Sequence, residues 1–274
     1  KNLKKTPRNR TCNTYLKNVF GFFSFLEMAE DQFGPLQVLS YGTIHVANSV
    51  GVKRRLRFRS FAGYLKEEER EVRAAEKNEI VSILEACTNC RDQLLILMAS
   101  ELGFRIGELL GIDYTKDIDY ENHSVRVYFR DDNVNDARAK NAEERTGRLS
   151  TDTYDFLLFY VSEYWDILQH QNYLFVNITG DTEGKPMKVA SVYDMFHRME
   201  KKTGIKITPH MLRRYFANAR WDSGWPLELV SQSLGHRHLD TTTRYLNLMD
   251  DKLKQASTEF YNKHSALYGV QELL

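Results

Sequence analysis

The sequence predicts a mainly helical chain with a small antiparallel β-sheet, an α+β fold. Three observations carry that expectation. Apolar residues recur every three to four positions in segment after segment, the period of a half-buried helix. One segment alternates instead: His123-Ser124-Val125-Arg126-Val127-Tyr128-Phe129-Arg130 reads as a half-buried strand. The polar, breaker-rich stretch 131–147 then leads to a second short strand near Arg148-Leu149, which closes a hairpin.

Taken in order, residues 10–28 read as an amphipathic helix with Tyr15, Val19, Phe22, Phe23 and Leu26 on one face. Gly34-Pro35 is a break after that helix. Residues 35–72 read as a basic linker with some helix, and a domain boundary falls near 70. Helical patterns run from Asn78 to Ala86 and from Asp92 to Leu102, the second stopped by Gly103; a third begins near Ile106. Past the hairpin, helix covers 151–170, and Tyr173–Ile178 reads as a short strand. Helices then fill 189–203, 210–222, 226–234 and 241–248. Pro226 opens one of these and Gly235 lies just past its end, the usual asymmetry. Asp240 is a natural N-cap for the helix that carries Tyr245. The tail 251–268 has an apolar stripe of Leu253, Ala256, Phe260 and Leu267. There is no internal repeat and no low-complexity tract.

The chain has 274 residues, 42% of them hydrophobic, enough for one large or two small cored domains. Its longest apolar run, Leu94–Ala99, is far too short to span a bilayer, and no secretory leader opens it. These features and three cysteines without a disulfide framework fit a reduced, cytoplasmic setting with no membrane role. Lys1 in place of Met reads as a fragment or a processed chain.

Net charge is only +1, but it is unevenly spread. Residues 1–75 hold 14 Lys/Arg against 7 Asp/Glu, a net +7, while the rest carries −6. A basic first quarter suits contact with DNA or RNA; a solvated charged face is the plain alternative. Within it, Lys53, Arg54, Arg55, Arg57 and Arg59 are the candidate DNA-binding residues, with further Arg/Lys near 185–206.

A scattered constellation points to chemistry on a phosphate. Arg105 follows a glycine break at a helix start, where its fork can hold a phosphate, and Glu108 lies three residues on, placed to orient it. His210 and Arg213 are one helical turn apart, and Arg214 should face elsewhere, toward DNA backbone or acidic protein. Leu234-Gly235-His236 precedes Tyr245 by nine residues. A phenol with a reference pKa near 10 attacks at neutral pH only if a base or a positive field activates it, and a nearby His and two Arg would supply both. Lys140, on the segment between the strands, is a candidate proton donor. Taken alone, each piece reads as well as something bland: Arg105–Glu108 as a surface ion pair, Tyr245 as a core tyrosine beside Leu246 and Leu248. Cys87-Thr88-Asn89-Cys90 reads as two small residues at a helix end, and no metal site is indicated.

In order and spacing these pieces resemble the tyrosine recombinase (phage integrase-like) family over about residues 73–260. The family's first arginine box is similar to Gly103–Leu109, its hairpin lysine to Lys140, its His-x-x-Arg box to His210–Arg213, its Leu-Gly-His box to Leu234–His236 and its nucleophile to Tyr245. Arg130-Asp131-Asp132-Asn133 and Ser223-Gly224-Trp225 look most like transposases and integrases of mobile resistance transposons. The chain departs from the pattern at Arg214, often His in the family, and at Gly147-Arg148-Leu149, where Pro-Leu is usual.

The resemblance implies a catalytic domain over 73–274, preceded by the last part of a helical core-binding clamp (1–34) and the linker (35–72). It implies a site-specific recombinase or transposase acting on two double-stranded DNA sites, as a tetramer with possible accessory proteins. No metal, ATP or other cofactor is called for. Tyr245 would form a 3′-phosphotyrosine, Arg105 and Arg213 would hold the phosphate, and His236 would hydrogen-bond it. Lys140 would be the general acid and His210 an acid/base, with Glu108 in support. The tail 251–268 would dock on a neighbouring protomer or else complete the core. Two rivals stand beside this reading: an inert DNA-organising module, and a type IB topoisomerase-like enzyme.

Overall fold

A computed structural model describes residues 6–28, 40–47, 53–60, 63–67, 73–130, 132–135, 137, 144–236 and 242. The chain divides into two compact units, Lys1–Glu71 and Val72–Leu274.

In the first unit, helix α1 (Asn9–Met28) forms where the apolar period predicts it. Its stripe is largely open to solvent, however: Tyr15, Val19 and Phe22 are all exposed. Among the described side chains of this helix, the buried one is polar. Asn13 donates to the Leu65 carbonyl (2.8 Å) and accepts from the Leu65 amide (2.8 Å), which ties the segment 63–67 to the helix. The sequence predicts a linker with some helix over 35–72. The structure instead has two strands, β1 (Ser40–Ala47) and β2 (Lys53–Ser60), paired antiparallel from Ser40↔Ser60 to Ala47↔Lys53. Arg55-Leu56-Arg57-Phe58-Arg59 alternates cation and apolar residue, the period of a strand rather than of a helix.

The second unit is built on α2 (Lys77–Ala86), α3 (Cys90–Leu102) and the short α4 (Ile106–Leu110). The side chain of Asn89 caps α3 by accepting from the Asp92 amide. Cys87 closes α2 and Cys90 opens α3; both remain free thiols, and burial pushes Cys87 up to about 12. The Leu94–Ala99 run makes α3 apolar almost all round. Leu94, Leu95, Ile96, Met98 and Leu102 are each essentially inaccessible, so α3 is the spine of the core. Each such side chain contributes roughly 1.5–3 kcal/mol of burial free energy.

The sheet is three-stranded and antiparallel, in the order β3 (Ile118–Asp119), β4 (Ser124–Val127), β5 (Arg145–Arg148). The expected strand 123–130 is cut short because β5 offers only four partners, Val127 pairing with Arg145. Beyond it, Arg130 turns to bond the Gly111 carbonyl (2.7 Å) and Asp117 (2.8 Å). The single helix expected over 151–170 is divided at Tyr164 into α5 (Thr151–Glu163) and α6 (Trp165–Leu168). Tyr173–Ile178 makes only isolated bridges, Asp113↔Tyr173 and Val176↔Pro186, since no continuous strand lies beside it among the described residues.

Helices α7 (Val189–Thr203), α8 (Pro209–Asp222) and α9 (Leu227–Leu234) complete the described part of this unit. Thr208 caps α8, with Pro209 at its first position. Phe216 and Ala217 of α8 pack with Val230 and Leu234 of α9 in a small cluster of their own. That cluster sets where α9 ends, and so where the Gly235-His236 turn sits. The expected helix 241–248 and the tail 251–268 lie outside the described residues, apart from Thr242, which is helical.

Candidate active site

Three helix boundaries and one strand end bring the charged residues together. Arg105 is the N-cap of α4, two residues after Gly103 closes α3 in a left-handed turn (φ 62°). A side chain on Gly103 would meet the Phe216 ring at 2.4 Å, so glycine is required twice over: for its φ and for the approach of α8. Glu108 accepts from the Arg105 amide (2.7 Å) and from Arg105 Nη1 (3.0 Å), the orienting role that its spacing predicts. Arg105 Nη2 reaches the Gly235 carbonyl at 3.4 Å.

Arg213 is the largest fully buried side chain among the described residues, 2% exposed. It donates to the Gly103 carbonyl and the Leu234 carbonyl (2.5 Å each), and Nη2 lies 3.0 Å from His236 Nε2. It therefore joins the end of α3, the end of α9 and the His236 turn around one guanidinium. His236 Nδ1 is 2.9 Å from Thr242 Oγ1. Burial, followed by the charges of Arg213, Arg105 and Arg145, pushes His236 down to about 3, so the ring is neutral at physiological pH. His210 keeps an exposed surface, yet loss of water around the ring and the charges of Arg214, Arg213 and Arg105 lower its pKa. Arg214 is thus near enough to act on His210, although the sequence places it on another face.

Arg145, at the start of β5, is a site residue that the sequence does not single out. Its guanidinium binds both carboxylate oxygens of Glu108, donates from Nε to the Ser233 carbonyl (2.9 Å) and stacks 4.9 Å from the Phe104 ring. Desolvation alone would raise the Glu108 pKa; Arg145, then Arg105, reverse this and hold it below the ordinary carboxylate range. Gly235 (φ 62°) leaves room for this cation: a Cβ there would lie 2.7 Å from Arg145 Nη1. Thr242 is the other site residue that the sequence does not single out. It is fully buried, and nothing distinguishes it in Thr241-Thr242-Thr243.

The structure thus brings together Arg105, Glu108, His210, Arg213 and His236. Lys140, on the connection between β4 and β5, and Tyr245 both lie outside the described residues. Lys53, Arg54, Arg55, Arg57 and Arg59 lie on β2, in the first unit.

Residues 72–252 match the model of the Phage integrase family. The chain belongs to that family. It is a tyrosine site-specific recombinase, of a kind that serves DNA recombination, integration or transposition. It is 30% identical over 270 residues to Transposase A from transposon Tn554 of Staphylococcus aureus, covering 95% of this chain and 72% of that protein. It is also 30% identical over 185 residues to tyrosine recombinase XerA of Saccharolobus solfataricus, 68% of this chain and 55% of that one. Among solved structures, a XerA recombinase crystal structure superposes with a TM-score of 0.56 at 23% identity, over 73% of this chain and 68% of that one. The Tn1549 transposon integrase, in complex with transposon right end DNA, gives 0.57 at 20%, over 72% and 68%. These superpositions carry the fold: predominantly helical, with a small three-stranded antiparallel sheet. Among the described residues, no helix is long and apolar enough to cross a membrane.

Proposed function

We propose that this recombinase cuts and rejoins double-stranded DNA through a 3′-phosphotyrosine at Tyr245, as a transposase acting on two DNA sites. The observation that carries the reading is the convergence of Arg105, Arg213 and a neutral His236 on the Leu234–His236 turn, nine residues before Tyr245.

In this scheme the Tyr245 oxygen attacks phosphorus, the bond to the 5′-oxygen breaks, and a 5′-hydroxyl leaves. His210, with its lowered pKa, is unprotonated at neutral pH and takes the phenolic proton. Lys140 protonates the leaving oxygen. Arg105 and Arg213 neutralise the charge that develops on the phosphorane, and losing one such donor typically costs roughly a hundred- to a thousandfold in rate. Attack by a 5′-hydroxyl of the second duplex reverses the steps. The covalent link conserves the phosphodiester, so neither ATP nor a metal takes part. Glu108 holds Arg105 in place, and Arg145 holds Glu108. We further assign the basic strand β2, with Lys53, Arg54, Arg55, Arg57 and Arg59, and Arg214 to DNA contact. A tetramer is the acting species, assisted where needed by accessory proteins, in the cytoplasm of a bacterium. The DNA-bound Tn1549 integrase supports DNA as the partner.

The test is covalent capture. A pool of nicked duplexes of random sequence is incubated with the full chain, and DNA that stays bound through denaturation is recovered and sequenced. An enriched duplex that is captured by the wild type and lost with Tyr245→Phe is expected. Capture that survives the substitution would refute the nucleophile.

A further inference from the structure

Thr242 has no part in the strand-transfer scheme, yet it is fully buried with its hydroxyl against the catalytic imidazole. The contact resolves which ring nitrogen carries the proton. Arg213 Nη2 lies 3.0 Å from His236 Nε2, and a guanidinium can only donate. Nε2 is therefore the acceptor, and the single proton of the neutral ring is on Nδ1. From there it is donated to Thr242 Oγ1 at 2.9 Å.

A phosphate oxygen, by contrast, only accepts. For His236 to bond a phosphate through Nε2, the proton must sit on Nε2. Nδ1 then becomes a lone pair that needs a donor. Re-protonating the ring to a cation would satisfy both nitrogens, but the surroundings oppose it. Burial comes first; Arg213 of α8, Arg105 before α4 and Arg145 of β5 add positive potential, and His210 of α8 adds more whenever it is protonated. Glu108 is already engaged by Arg105 and Arg145. A hydroxyl is among the few groups that can serve either tautomer, since it accepts and donates at one atom.

We propose that Thr242 is a positioning residue that supports two tautomers of His236. It accepts from Nδ1 while Arg213 occupies Nε2, and it donates to Nδ1 when a phosphate oxygen takes Arg213's place. The ring stays neutral throughout: Nδ1 gives one proton to water and Nε2 takes one from water, with no net change. This rests on the recombinase reading, in which His236 contacts the phosphate.

The experiment has two arms. The full chain, labelled with 15N-histidine, is observed by NMR alone and, as Tyr245→Phe, bound to the duplex recovered by capture. The Nδ1–H tautomer is expected in the free protein and the Nε2–H tautomer in the complex. In the second arm, single-turnover cleavage of that duplex is measured for Thr242→Val and Thr242→Ser. Removing the partner that orients a metal-bound histidine typically costs roughly ten- to a hundredfold, and a loss of the same order is expected here. The Val variant should slow by that much with DNA affinity unchanged, and the Ser variant should stay close to wild type. A Val variant that cleaves at the wild-type rate overturns the proposal, as does an Nε2–H ring in the free protein or an Nδ1–H ring in the complex. Should the Val variant fail to fold, the Ser variant and the two spectra recorded with Thr242 intact still decide. Failure of the wild type to form any Tyr245 adduct is a separate result, and it overturns the strand-transfer reading instead.

Discussion

Replacing Glu108 by Gln, which exchanges one oxygen for an amide nitrogen, should destabilise the protein markedly. Its side chain is 3% exposed and holds two cations: Arg145, whose side chain is 8% exposed, and Arg105. Gln keeps the volume and one acceptor oxygen, but it removes the negative charge and leaves Arg145 buried beside Arg105. Deleting one partner of a buried pair destabilises by roughly 3–5 kcal/mol, and the retained oxygen places this change near the lower end, about 3 kcal/mol. Set against a typical total of about 5–15 kcal/mol, the variant folds but melts early. Urea unfolding of both proteins at pH 7 measures the gap. The pH dependence adds a second check. The folded pKa of Glu108 is depressed, so its contribution is present above the unfolded value, about 4.3, and is lost as pH falls through the folded one. Gln binds no such proton, so the gap between the two proteins should close as pH drops below the ordinary carboxylate range. A gap under about 1 kcal/mol at pH 7, the size of an exposed pair, would refute the reasoning. So would a gap that stays constant into acid.

The geometry sets three further expectations. Gly103→Ala forces a left-handed φ on a residue with a Cβ and drives it into the Phe216 ring; together these should destabilise by about 2–4 kcal/mol, and a denaturation midpoint equal to wild type contradicts it. Gly235→Ala pushes on the Arg145 guanidinium, and a misplacement of that order should slow duplex cleavage roughly a hundredfold; unchanged cleavage kinetics count against the Arg145–Glu108–Arg105 linkage. His236, about 3 when folded and near 6.5 when unfolded, binds its proton more readily in the unfolded chain. Wild-type stability should therefore fall as pH drops from about 6.5 to about 5, and His236→Asn should flatten that slope; equal slopes would show that the ring is not held neutral.

Much of the fold and of the site is legible in local pattern. The residues that converge on the Leu234–His236 turn are marked by helix punctuation: Gly103 before Arg105, Thr208-Pro209 before His210, and Gly235 after α9. The strand pair β1–β2 is harder to read, because a run of cations draws attention to charge while the strand signal lies in their alternation. Arg145 and Thr242 carry no local signature because their importance is tertiary. Arg145 reaches a carboxylate 37 positions away and a carbonyl 88 positions away, and neither contact leaves a mark in its neighbours. The exposed face of α1 shows the converse: periodicity predicts the helix, yet its apolar stripe stays largely open while the polar Asn13 is buried against Leu65.

Tyr245 as the covalent link to DNA is tested most directly by mass spectrometry of the denatured, protease-digested adduct. The expected product is a peptide spanning Tyr245 that carries a nucleotide through a 3′-phosphate, with a free 5′-hydroxyl on the other DNA fragment. A nucleotide on another residue, or a 5′-phosphate linkage at Tyr245, would contradict it.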